Sequence, residues 1–152
     1  MPRIAIIGPG AIGGVIAAQL MQTGRHDVVL CARRPIENLT VETPAGVIVV
    51  QPRVLTTAND APTVDWVLVT TKSYDAAGAA TWFGRLRDPS TLVAVLQNGV
   101  EHRARFAAYL PPECIVPVVV DLPAERVSPT HIHQRGPGLL TVADDAPGRA
   151  FA

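Results

Sequence analysis

Arg3-Ile4-Ala5-Ile6-Ile7-Gly8-Pro9-Gly10-Ala11-Ile12-Gly13-Gly14 is the stretch that decides the fold of this 152-residue chain. Residues 3–7 form a short apolar run rich in β-branched side chains. A run of that kind ended by glycine suits a strand buried on both faces, central in a parallel sheet. Gly8-Pro9-Gly10 then breaks the strand. From Ala11 to Gln22 the residues favour helix, with Ile12, Val15, Ile16 and Leu20 at helical spacing and Gly24 where a carboxyl-terminal cap belongs. The same punctuation separates the segment from a secretory signal, whose apolar region is one continuous helix.

Reading outward, Asp27–Ala32, Trp66–Thr70, Leu92–Leu96 and Ile115–Val120 repeat the buried-strand pattern. Ser73 can cap a helix running to about Leu86, with Asp75 in its first turn and Asp88-Pro89 ending it. Glu101 to Leu110 predicts a further helix, stopped by Pro111-Pro112. Between Val41 and Leu55, Pro44, Gly46 and Pro52 cut the apolar residues into short strands and turns. Thr130–Gln134 and Leu139–Val142 flank Arg135-Gly136-Pro137-Gly138, which reads as a C-terminal β-hairpin. Alternating strands and helices with two-face-buried strands predict an α/β fold: a doubly wound, mostly parallel sheet of the Rossmann type. The expected organisation is one domain over residues 1–143, followed by a tail or the start of a linker at 144–152.

Composition narrows the function classes. Thirteen Lys plus Arg balance thirteen Asp plus Glu with no block of like charge, so no nucleic-acid footprint is indicated. Apolar residues make up 48% of the chain and charged ones 17%, a balance that favours a packed core over disorder. No apolar run reaches the roughly 18 residues of a membrane span, so a soluble protein is expected. Cys31 and Cys114 are too few for a disulfide framework and lack metal spacing, and read as buried thiols in a reducing cytoplasm. His131 and His133 share a strand face, but no third ligand stands at recognisable spacing, so no metal is expected.

Gly8-Pro9-Gly10-Ala11-Ile12-Gly13 fits G-x-G-x-x-G, and its place between a strand and a helix gives the string its meaning. Gly8 permits the tight turn, Gly10 lets a pyrophosphate approach the backbone, and Gly13 lets helix and strand pack closely. Pro9 lacks an N–H, so the anion contacts fall to the amides of Ala11 and Ile12. About 20 positions further on, where a carboxylate would bind a ribose 2′-hydroxyl, stand Arg33 and Arg34. A guanidinium suits a 2′-phosphate, so the expected cofactor is NADP(H). Lys72, Asn98 and Asp121-Leu122 each follow a predicted strand and should line one crevice at the carboxyl ends of the sheet. Lys72 is the only lysine in the chain.

Taken with Val69-Thr70-Thr71-Lys72-Ser73 and Leu96-Gln97-Asn98-Gly99-Val100, these motifs resemble the ketopantoate reductase family, also called 2-dehydropantoate 2-reductases. The resemblance runs through Gly136-Pro137-Gly138 and covers one half of such an enzyme. It implies NADPH-dependent reduction of 2-dehydropantoate, a small 2-keto acid, to pantoate on the route to coenzyme A. By family role the glycine loop would hold pyrophosphate and Arg33 the 2′-phosphate. Lys72 and Asn98 would flank the nicotinamide and substrate, as catalytic positioning residues, and the Leu122 backbone would hold the carboxamide. Family members carry a second, helical domain, absent from these 152 residues, that supplies the general-acid lysine and most substrate contacts. The chain is therefore expected to bind cofactor without turnover alone, and to expose a surface covered by a partner chain or by self-association. Two other readings share the cofactor features: a noncatalytic NADP(H)-binding sensor module, and a dehydrogenase for another 2-keto or hydroxy acid.

Overall fold

A computed structural model describes all residues from Met1 to Ala152. In chain order the strands and helices are β1 (Arg3–Ile7), α1 (Ala11–Thr23), β2 (Asp27–Cys31), β3 (Leu39–Thr43), β4 (Gly46–Val50) and β5 (Arg53–Leu55). Then follow β6 (Trp66–Val69), α2 (Ala76–Ala80), α3 (Phe83–Leu86), β7 (Leu92–Val95), α4 (His102–Phe106) and β8 (Ile115–Pro117). The last are β9 (Val119–Asp121), β10 (Ala124–Ser128), β11 (His131–Gln134), β12 (Leu139–Thr141) and α5 (Ala146–Phe151). A six-stranded sheet in the order β5-β2-β1-β6-β7-β8 is parallel throughout. That order reverses direction at β1, which makes the sheet doubly wound and opens a crevice beyond the carboxyl ends of β1 and β6.

Burial of both sheet faces is visible residue by residue. Ile4 and Ile6 of β1 enter one apolar cluster while Ala5 and Ile7 enter the other. In β7, Ala94 faces the first cluster and Val93 and Val95 the second. Period-two side chains that are all apolar leave no solvent face, as the continuous apolar runs require.

Helix α1 lies between two sheets, the large parallel one and a four-stranded sheet in the order β10-β11-β3-β4. This explains why its buried residues are Gly13, Gly14, Val15, Ala17 and Ala18, while Ile16 and Leu20 are only partly buried. Periodicity assumes one buried face, and a helix between two layers buries small residues on opposite faces instead. A Cβ on Gly14 would collide with Cδ1 of Ile132 in β11. Gln19 of α1 donates to Gln134 of β11 at 3.2 Å, adding a polar tie across the same interface.

Four expectations are corrected. The helix expected over residues 73–86 is a 3₁₀ turn at Ser73–Asp75 followed by α2 and α3, broken at Thr81-Trp82. There the Thr81 hydroxyl bonds back to the Gly78 carbonyl at 2.7 Å, and Gly78 and Gly84 weaken helical propensity on either side. The helix expected over 101–110 is α4 alone, and residues 107–110 close as turns before Pro111-Pro112. The strand expected over 115–120 divides at Val118: β8 stays in the parallel sheet, the Val118 amide still donating to the Val95 carbonyl at 3.1 Å, whereas β9 leaves it to pair with β12. Pro117 is accommodated because β8 is the edge strand of that sheet, where no further strand needs its N–H. Finally, the C-terminal hairpin forms between β10 and β11, and Leu139–Thr141 pairs with β9, so the Gly-rich segment 135–138 connects two different sheets.

Candidate functional site

The reversal of strand order leaves a cleft of about 1060 Å³ at the carboxyl ends of the parallel strands. Gly8, Gly10, Ala11 and Ile12 form one part of its wall, and Arg33 and Arg34 another. Lys72, Asn98 and Leu122 line it as well, so these candidates converge from five separate connections. Gly13 does not line the cleft and is buried against Thr70, which does.

The three motif glycines have different physical reasons. Gly8 has φ +74°, in the left-handed region, and a Cβ there would strike Thr71. Gly13 faces the side chain of Thr70, whose Cβ lies 3.2 Å from where a Cβ on Gly13 would sit. The Thr70 hydroxyl meets the carbonyls of Ile7 and Gly8, each at 2.9 Å, and so ties the start of the glycine turn to the end of β6. Around Gly10, nothing of the protein lies within 4 Å of an added Cβ. The protein's own packing makes no demand for glycine there, and Gly10 itself lines the cleft.

Helix α1 starts with its first intrahelical bond from the Gly14 amide to the Gly10 carbonyl at 2.9 Å. The amides of Ala11, Ile12 and Gly13 precede that bond, no side chain caps the helix, and no acidic residue occupies its first turn. The positive end of a 13-residue helix is therefore presented to the cleft without an internal counter-charge.

Although the chain is neutral overall, the cleft is not. Arg33, Arg34, Lys72 and Arg126 line it against a single carboxylate, that of Asp75. Arg33 donates to Asp75 at 3.2 Å, with the Arg33 side chain 87% exposed. In that geometry the bridge is weak, and an incoming dianion can displace it.

Beyond the ends of β6 and β7, Gln97 holds the two neighbouring loops together. Its side-chain amide donates to the Thr71 hydroxyl at 3.0 Å and to the Lys72 carbonyl at 3.3 Å. Gly99 alone of the Asn98-Gly99 pair takes positive φ, at +95°. The sequence reading passed over Thr70, Gln97, Asp75 as the partner of Arg33, and Arg126. For Thr70 and Gln97 the sequence carries a signal, since they lie within the motif segments 69–73 and 96–100. The Arg33–Asp75 contact spans 42 positions and left none.

Sheet order, glycine turn and cleft define the class, an α/β domain built in the manner of those that bind dinucleotides. A family model described as Ketopantoate reductase PanE/ApbA matches residues 4–147, and the chain belongs to that family. A relative from Caulobacter vibrioides named 2-dehydropantoate 2-reductase is 50% identical over 152 residues, covering all of this chain and 52% of its own length. One of the same name from Mycobacterium tuberculosis is 34% identical over 151 residues, covering 98% of this chain and 51% of its own. Among solved structures, a PanE/ApbA family ketopantoate reductase from Ralstonia eutropha superposes with a TM-score of 0.82 at 30% identity, over 99% of this chain and 52% of that one. The chain thus spans about half the length of the curated relatives it matches.

Proposed function

We propose that residues 1–143 form the NADP-binding half of a cytoplasmic 2-dehydropantoate reductase, acting on the route to pantothenate and coenzyme A. The observation that carries this reading is the convergence on one cleft of an open glycine turn, an uncapped helix start and four cations against one carboxylate. The residues fit the cofactor, because the empty space at Gly10 and the free amides at Ala11 and Ile12 suit a pyrophosphate. Arg33 would bind the 2′-phosphate, exchanging Asp75 for a stronger anion. Lys72 and Asn98 would flank the nicotinamide and substrate, and the Leu122 backbone would receive the carboxamide. The bound dinucleotide would supply the hydride, and the protein's part is to orient it and the ketone. The positive cleft would also draw in the carboxylate of a 2-keto acid. Tyr74, Val100, Val119 and Leu139 are exposed on segments beyond the carboxyl ends of β6, β7 and β8, a surface suited to cover by a second half, a partner chain or another copy.

The test is a fusion of this chain to the half of the Caulobacter relative that it does not match. The chain alone should bind NADPH without oxidising it in the presence of 2-dehydropantoate, and the fusion should turn the substrate over. Turnover by the chain alone, or a folded, NADPH-binding fusion that remains inactive, would contradict the reading.

A further inference from the structure

Gln97 is a polar side chain in the core, 3% exposed, and nothing in the proposed coenzyme contacts uses it. The last main-chain bond between β6 and β7 runs from the Leu96 amide to the Val69 carbonyl at 2.9 Å. Past that point the Gln97 side chain takes over the connection. Its Nε2 reaches Thr71 and the backbone of Lys72, while its Oε1 accepts from Arg105 Nη1 at 2.8 Å. Its own carbonyl accepts from His102 Nε2 at 2.9 Å, a contact that places the ring proton on that nitrogen, since a carbonyl only accepts. Arg105 is also seated below the next turn, its Nη2 3.4 Å from where a Cβ on Gly99 would lie.

We propose that Gln97, held by Arg105 of α4, is a positioning residue that couples the Lys72 loop to the Asn98 loop and so fixes the nicotinamide end of the cleft. An apolar residue would fill the same core space, and only the amide can hold both loops at once. The arrangement also lets α4, which does not line the cleft, influence binding there. The consequence for coenzyme rests on the functional reading above, whereas the coupling between loops does not.

Amide hydrogen exchange on the ligand-free chain tests the coupling. Arg105→Met keeps the aliphatic stem and removes the guanidinium, and should speed exchange in residues 71–75 and 98–100 together while the amides of β1 and β6 stay protected. Unchanged exchange in 71–75, or faster exchange throughout, would overturn it. Titration then tests the consequence, with NADPH and with adenosine 2′,5′-bisphosphate, which lacks the nicotinamide. Arg105→Met should weaken NADPH about three- to tenfold, and Gln97→Leu more, with the bisphosphate changed less than about twofold. Equal loss for both probes, or no loss, would overturn the positioning role. Failure of the unmodified chain to bind either probe would refute the coenzyme reading, and the exchange result would still decide the coupling.

Discussion

Gly10 and Gly13 differ by three positions and should fail in opposite ways. Gly13→Ala drives a methyl into Thr70 and disturbs the bonds that the Thr70 hydroxyl makes to the glycine turn. A loss of about 1–3 kcal/mol in stability is expected, measured by urea denaturation. Gly10→Ala meets no protein atom, so its stability should stay within about 1 kcal/mol of the parent while NADPH binding falls sharply. If Gly10→Ala bound NADPH normally, the open space would not be the pyrophosphate site. For Arg33, replacement by Ala removes a charge-assisted partner of the 2′-phosphate and should weaken NADPH about tenfold or more, with NADH little changed. Equal weakening of the two coenzymes would assign Arg33 to the general field of the cleft. The sequence made these residues legible because each sits at a fixed offset from a strand end, where the chemistry of the turn limits which residues fit. It could not reveal the Arg33–Asp75 bridge, which depends on two loops meeting across the cleft.

At the scale of elements, the parallel strands were legible because burial on both faces leaves no polar positions to confuse the pattern. Helices were less so. The run over residues 73–86 looks helical by composition, yet the hydroxyl of Thr81 and two glycines divide it. The partner of Leu139–Thr141 is not legible because a Gly-Pro-Gly turn between two apolar segments suggests a hairpin, whereas Val119–Asp121, past the edge strand β8, is what pairs there. Helix α1 shows how tertiary layers reset local rules: two sheets pack against it, and its small residues are the ones they bury. Ile132, 1% exposed on β11 and pressed against Gly14, joins the small sheet to this helix. Ile132→Ala should cost about 2–5 kcal/mol in denaturation experiments. A cost below about 1 kcal/mol would mean that the small sheet contributes little to the shared core.

For the whole molecule, pH acts through the core. Cys31 closes β2 at 1% exposure, and burial pushes its thiol up from 9.0 to about 12. Below pH 9 folded and unfolded chains both keep the proton, and this group gives no pH dependence. Between about 9 and 12 only the unfolded chain releases it, so stability falls with rising pH, by about 1.4 kcal/mol per unit within that window. Urea midpoints at pH 8 and pH 10 should differ more for the parent chain than for Cys31→Ala. Identical differences would exclude the thiol as the cause. The same burial makes the native thiol inert, although the residue lies at the floor of the cleft.

The central claim concerns what that cleft holds. Trp82 lines it, whereas Trp66 packs against Phe151 of α5 with ring centroids 5.5 Å apart, so Trp82 is the natural reporter. The most direct measurement is a paired titration of the chain with NADPH and NADH, followed by Trp82 quenching and checked by calorimetry. Binding of both with a clear preference for NADPH is expected. Equal affinity, or no binding of either by the folded chain, would contradict it.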